Sequence, residues 1–117
     1  MGSFSLALVI SLGAFGAHAL HDLLTYTGRL ETYNTAVDYH LYHSFGLIVL
    51  GLLAPYLPGK QTRIVGVLFL SGILLFSGSL YTLCFTNETA FAMITPLGGV
   101  SFIAGWLWLG IGFIMQK

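Results

Sequence analysis

The residues with the widest chemical range in this chain stand together: Tyr39, His40, Tyr42 and His43, in a Tyr-His-Leu-Tyr-His stretch that runs straight into the apolar Ser-Phe-Gly-Leu-Ile-Val-Leu. Imidazole donates and accepts hydrogen bonds, titrates near neutrality and ligates zinc, copper and iron. At about 100° per residue on a helix, Ala36, Tyr39, His40, His43 and Gly46 share one face, while Asp38 and Tyr42 point the other way. Two histidines three residues apart on such a face can converge on one point. His18 and His21 repeat this spacing upstream, beside the small residues Gly13 and Ala17. A helix contact through those small residues would bring the two histidine pairs close to each other.

Three kinds of chemistry fit this pattern. In the first, each histidine bonds a carbonyl, a tyrosine hydroxyl or Asp38 and simply ties the helices together. In the second, His18, His40 and His43 supply three nitrogens to a metal, or His18 and His43 hold a haem across two helices. A single His-x-x-His is a weak metal signal, and only Asp22 and Asp38 are acids placed to support it. In the third, the cluster lines a polar pocket for a lipid head group, a quinone, a transported solute or a proton. Ser77, Ser79 and Thr95 would supply hydroxyls to that pocket, and a broken backbone around Pro96 would add carbonyls. Hydrolytic or transfer catalysis fits poorly, because the chain has no carboxylate pair, nucleophile elbow or phosphate-binding glycine loop. The balance leans against an enzyme.

The elements that position these residues follow from composition. Of 117 residues 56% are hydrophobic and 7% charged, too much apolar surface for so short a chain to hide from water. The solvent is therefore lipid. Four basic and four acidic residues leave no net charge, so nothing attracts nucleic acid. Charges, each costly at a helix centre, leave uncharged spans at 1–21, 39–59, 64–87 and 89–116. The expected architecture is all-α: a single integral membrane domain over 1–117, a four-helix bundle with helices near 3–21, 37–57, 63–85 and 92–115. The first span lacks the positive n-region of a cleaved signal and is expected to stay as a helix.

Thr32 is the expected N-cap of the second helix, Pro58 and Gly59 its end, and Thr86–Thr89 the turn after the third. Small-residue stripes at Gly13 and Ala17, at Ser71, Gly78 and Thr82, and at Gly98, Ser101, Gly105 and Gly112 are expected packing surfaces. Trp106, Trp108 and Tyr81 read as packing or interface anchors, and Cys84 as a small buried hydrophobe. Lys60, Arg63 and Lys117 against Arg29 place both termini in the cytoplasm by the positive-inside rule. The glycine-rich faces leave a homo-oligomer open.

Four motifs in order, Gly-Ala-Phe-Gly-Ala-His-Ala-Leu at 13–20, Tyr-Asn-Thr-Ala-Val-Asp-Tyr-His-Leu-Tyr-His-Ser-Phe-Gly-Leu at 33–47, Leu-Phe-Ser-Gly-Ser-Leu-Tyr at 75–81 and Ile-Thr-Pro-Leu-Gly-Gly-Val-Ser-Phe-Ile-Ala-Gly-Trp-Leu-Trp-Leu at 94–109, resemble the domain of unknown function 423 family. These are YgdD-like small bacterial inner-membrane proteins with a small eukaryotic transmembrane relative. The resemblance spans nearly the whole chain. It implies a polytopic membrane protein of uncharacterised function and directs attention to His18, Tyr33, Tyr39, His40 and His43, with Ser77, Gly78, Ser79, Tyr81, Pro96 and Trp106. His21 departs from the pattern, where lysine is more usual. The leading expectation is a small ligand or lipid head group held by His18, Tyr39, His40, His43, Ser79 and Tyr81. Its rivals are an accessory membrane subunit and a metal or haem protein, and no cofactor is specified.

Overall fold

A computed structural model describes residues 1–116; Lys117, one of the basic residues counted above, lies outside the described residues. The chain is helical nearly throughout, with no strand among those residues. In order come α1 (Gly2–Ala17), α2 (His21–Tyr26), α3 (Leu30–Leu53), α4 (Gly59–Gly72), α5 (Gly78–Thr86) and α6 (Thr95–Met115). A π-turn, Ile73–Ser77, joins α4 to α5 without a break. The result is an all-α helical bundle with three helical stretches long and apolar enough to cross a membrane, Leu30–Tyr56, Gly59–Thr86 and Thr89–Met115, and a shorter apolar one, Gly2–Ala17. At most a third of each long stretch is buried, and the rest presents its large apolar side chains outward.

Helix α1 packs on α3, and the α4–α5 helix with its π-turn packs on α3 on one side and on α6 on the other. These contacts are made where glycine lets backbones close. Gly16 lies under the ring of Tyr33 and Gly72 under Phe102, while Gly98 meets the backbone of Phe76. Of the small residues expected at packing surfaces, Gly98, Gly105 and Gly112 all touch the α4–π segment, and Ser71 hydrogen-bonds Ser101 across it at 2.7 Å. Gly78 packs only against its own turn.

Element boundaries differ from the expectation in instructive ways. The first helix stops at Ala17 rather than residue 21: His18 takes φ −118°, and the Leu20 amide reaches back to the Phe15 carbonyl. The chain then restarts as α2, whose Leu24 is buried, and Gly28 at φ +70° closes it with the Arg29 amide on the Leu24 carbonyl. The second long helix therefore begins at Leu30, seven residues early, with Arg29 and not Thr32 at its cap. Charges hid this start: Glu31, Asn34 and Asp38 are exposed on the outer side, while Tyr33, Ala36 and His40 are buried at helical spacing. Pro58 and Gly59 open α4 instead of ending α3, as proline before a first helical turn allows. Pro96 likewise sits in the first turn of α6, so no broken backbone surrounds it. The Thr86–Thr89 turn stands where expected, with Asn87 in the left-handed conformation.

Candidate functional site

Two hydrogen-bond networks grow from α3, one around each buried histidine. The first joins three helices. Ser44 Oγ donates to the His40 carbonyl at 2.8 Å, because a carbonyl oxygen only accepts. Ser44 has one hydroxyl proton, so the 2.7 Å contact with Ser5 runs from Ser5 to Ser44. Ser5 has then spent its own proton, and the 3.1 Å contact with His40 Nε2 must be donated by the imidazole. This leaves His40 Nδ1 as an acceptor for the Tyr81 hydroxyl, 3.2 Å away. With a neutral imidazole, every direction in the chain Tyr81 to His40 to Ser5 to Ser44 is thereby assigned, and the His40 proton sits on Nε2.

The second network fixes the opposite tautomer. His43 Nδ1 lies 2.7 Å from the Tyr39 carbonyl and must donate. Its Nε2 receives the indole N–H of Trp106 at 3.0 Å, since indole nitrogen only donates. Phe102 stacks on the imidazole with centroids 3.4 Å apart and planes 11° from parallel. Phe69 meets its edge at 5.5 Å. Gly46, one turn along α3, leaves room for both Phe69 and Trp106, which would stand 3.1 and 3.2 Å from a Cβ there.

His40 and His43 therefore share the buried side of α3, at 3% and 4% exposure, but do not converge. One turns to α1 and α5, the other to α6. His18 does not join them: it caps α1 in an exposed position, and His21, also exposed, faces its neighbour Asp22 at 3.6 Å. The break at Ala17 dissolves the expected His18–His21 pair. Among the described residues no three His, Cys, Asp or Glu side chains stand close enough to hold a metal ion, and the lone pairs of His40 and His43 are already engaged. His18, His40 and His43 do not form a three-nitrogen set among the described residues.

Of the other expected residues, Tyr81 belongs to the His40 network, and Tyr39 flanks His43 with its ring 4.5 Å from that of Phe76. Ser79 lies elsewhere. It donates to its own helix at the Phe76 carbonyl and meets Thr95 at 2.6 Å, tying the start of α6 to α5. Ser77 donates to the Ala36 carbonyl at 2.8 Å, and Tyr33 to the Leu12 carbonyl at 2.6 Å, so both are helix clamps. Sequence reasoning missed Ser5, Ser44 and the donor role of Trp106. The i, i+4 relation of His40 and Ser44 was the one available signal.

Each network floors a groove. Between α1 and the α4–α5 helix, Ser5, His40 and Tyr81 form the polar base of a groove of about 440 Å³ with walls that include Leu8, Leu12, Leu70 and Leu74. On the far side of α3, Tyr39, His43, Phe76, Phe102 and Trp106 line a second, of about 480 Å³. A groove at the Lys60 end, between α4 and α6, touches no histidine.

Comparison with known proteins agrees with the motifs. The family described as "Protein of unknown function (DUF423)" matches residues 12–99. The chain is 41% identical to the UPF0382 membrane protein YwdK of Bacillus subtilis, over 97% of this chain and 93% of that protein. It is 39% identical to the UPF0382 membrane protein SSP2132 of Staphylococcus saprophyticus, over 96% and 92%. With the UPF0382 inner membrane protein YgdD of Escherichia coli it shares 37% identity, over 94% and 83%. No solved structure matches it.

Proposed function

The chain belongs to the DUF423 family of membrane proteins, and from the networks on α3 we propose that it holds an amphipathic small molecule in the groove between α1 and the α4–α5 helix. The observation that carries this reading is the Ser5–His40–Tyr81 base of that groove. Polar side chains at the base of a lipid-facing, apolar-walled groove supply orientation, and the walls supply contact area. A volume of about 440 Å³ lies within the usual range of small-molecule pockets, roughly 300–1,000 Å³. The site requires no catalytic group, and the protein acts as a binder.

The test uses an alkyl amide carrying a diazirine, a head group that both donates and accepts, photolysed with the protein in bilayer discs. Labelling is expected along Leu8, Leu70 and Leu74 and is expected to disappear in Gly78→Leu, where a Cβ meets no side chain and a larger group would occupy the groove. Label spread evenly over outward residues such as Leu97, Ile103 and Ile114, unchanged in the variant, would refute the reading.

One observation favours a second reading, an accessory subunit in which the networks only close the bundle: all four ring nitrogens of His40 and His43 are satisfied within the chain. The same photolabelling decides between the two. For orientation, we propose that the end carrying Lys60 and Arg63 is cytoplasmic and the end carrying α2 is outside, following the positive-inside rule.

A further inference from the structure

Resting on that reading of the groove, we infer that it selects ligands that donate a hydrogen bond, such as a long-chain alcohol, over uncharged ligands that only accept one. The inference follows from the directions of the network. Tyr81 spends its hydroxyl proton on His40 Nδ1, and Ser5 spends its own on Ser44. The proton of His40 Nε2 goes to Ser5. Among these three side chains no donor is left for a ligand.

What remains open is acceptor capacity: one lone pair on the phenolic oxygen of Tyr81 and one on Ser5 Oγ. A ligand hydroxyl or amide N–H can use either without disturbing the chain. A ketone or ether oxygen would have to take the Tyr81 proton, orphaning His40 Nδ1 in a buried position, or else lie unpaired against oxygen lone pairs. A cationic head group is disfavoured. No Asp or Glu side chain lines the groove among the described residues, so an ammonium finds no counter-ion in a site of low polarity.

The experiment is displacement of the diazirine amide from the protein in bilayer discs by three competitors of equal chain length: 1-dodecanol, its methyl ether and dodecyltrimethylammonium, each compared at equal mole fraction in the bilayer. The alcohol is expected to displace the label at a concentration at least tenfold lower than the ether or the ammonium. In Ser5→Ala, which frees the Nε2–H of His40 as a donor, the gap between alcohol and ether is expected to narrow. Groove labelling that the ether or the ammonium displaces as well as the alcohol would overturn this inference and leave the binding reading intact. Absence of groove labelling, by contrast, would overturn both.

Discussion

His40 and His43 are one turn apart and carry their protons on opposite nitrogens. The cause lies in their partners: Ser5 accepts at Nε2 of the first, while the Tyr39 carbonyl accepts at Nδ1 of the second. Histidine-labelled ¹⁵N spectra of the protein in lipid are therefore expected to show one Nε2–H and one Nδ1–H neutral imidazole, with the Nδ1–H signal lost in His43→Ala. Two buried histidines in the same tautomer would contradict the assigned directions. The candidate site was legible at this scale in part. The identities of His40, His43, Tyr39 and Tyr81 could be read from type and spacing. Their division into two sites could not, because the partner of a ring nitrogen belongs to another helix. Ser5 is the plainest case, an ordinary serine in an apolar run until α1 is laid against Ser44.

Among the elements, the π-turn at Ile73–Ser77 does the most to shape the site. A single π-turn accommodates an extra residue within a helix, and at about 100° per residue it resets the facing of everything after it. Here it lets Ser77 reach the Ala36 carbonyl and aims Tyr81 at His40. Its other side is held by Gly98, where a Cβ would run into the backbone of Phe76. Gly98→Ala is expected to destabilise the protein by about 1–3 kcal/mol, the usual cost of overpacking, in a detergent-denaturation titration. Gly110→Ala, whose Cβ would meet nothing within 4 Å, is the control and is expected to cost nothing. Equal stability of the two variants would mean that α6 does not seat on the π-turn as described. Helical periodicity carries no sign of such a turn, since four of its residues, Ile73, Leu74, Leu75 and Phe76, are apolar in a row.

At the scale of the whole molecule, charge is sorted by end. All four acids, Asp22, Glu31, Asp38 and Glu88, lie where α2, the start of α3 and the end of α5 meet, together with Arg29, whose guanidinium bonds Asn87 at 3.1 Å. Lys60 and Arg63 lie at the opposite end, in the first turns of α4. A bundle 53 Å long, 26 Å wide and 16 Å thick thus has a negative pole and a positive one. In a Cys84→Ala background, a membrane-impermeant maleimide added to intact cells is expected to label Thr25→Cys at the acidic end and to spare Tyr56→Cys at the basic end. The reverse pattern would invert the proposed orientation.

Composition by itself determined that this chain lives in lipid, since no arrangement of 117 residues with 56% hydrophobic content could bury its apolar surface against itself. It also determined helices, because a backbone in lipid must satisfy its own hydrogen bonds, and the family followed from motifs in order. Tertiary structure alone decided that α1 ends at Ala17 and leaves His18 outside the cluster, that His40 and His43 part company, and that Trp106 completes one network and Ser5 the other. The physical reason is one of range. Hydropathy and periodicity are sums over neighbours in sequence, whereas a hydrogen bond between Trp106 and His43 or Ser5 and His40 exists only after glycine contacts and a π-turn have set which helix faces which.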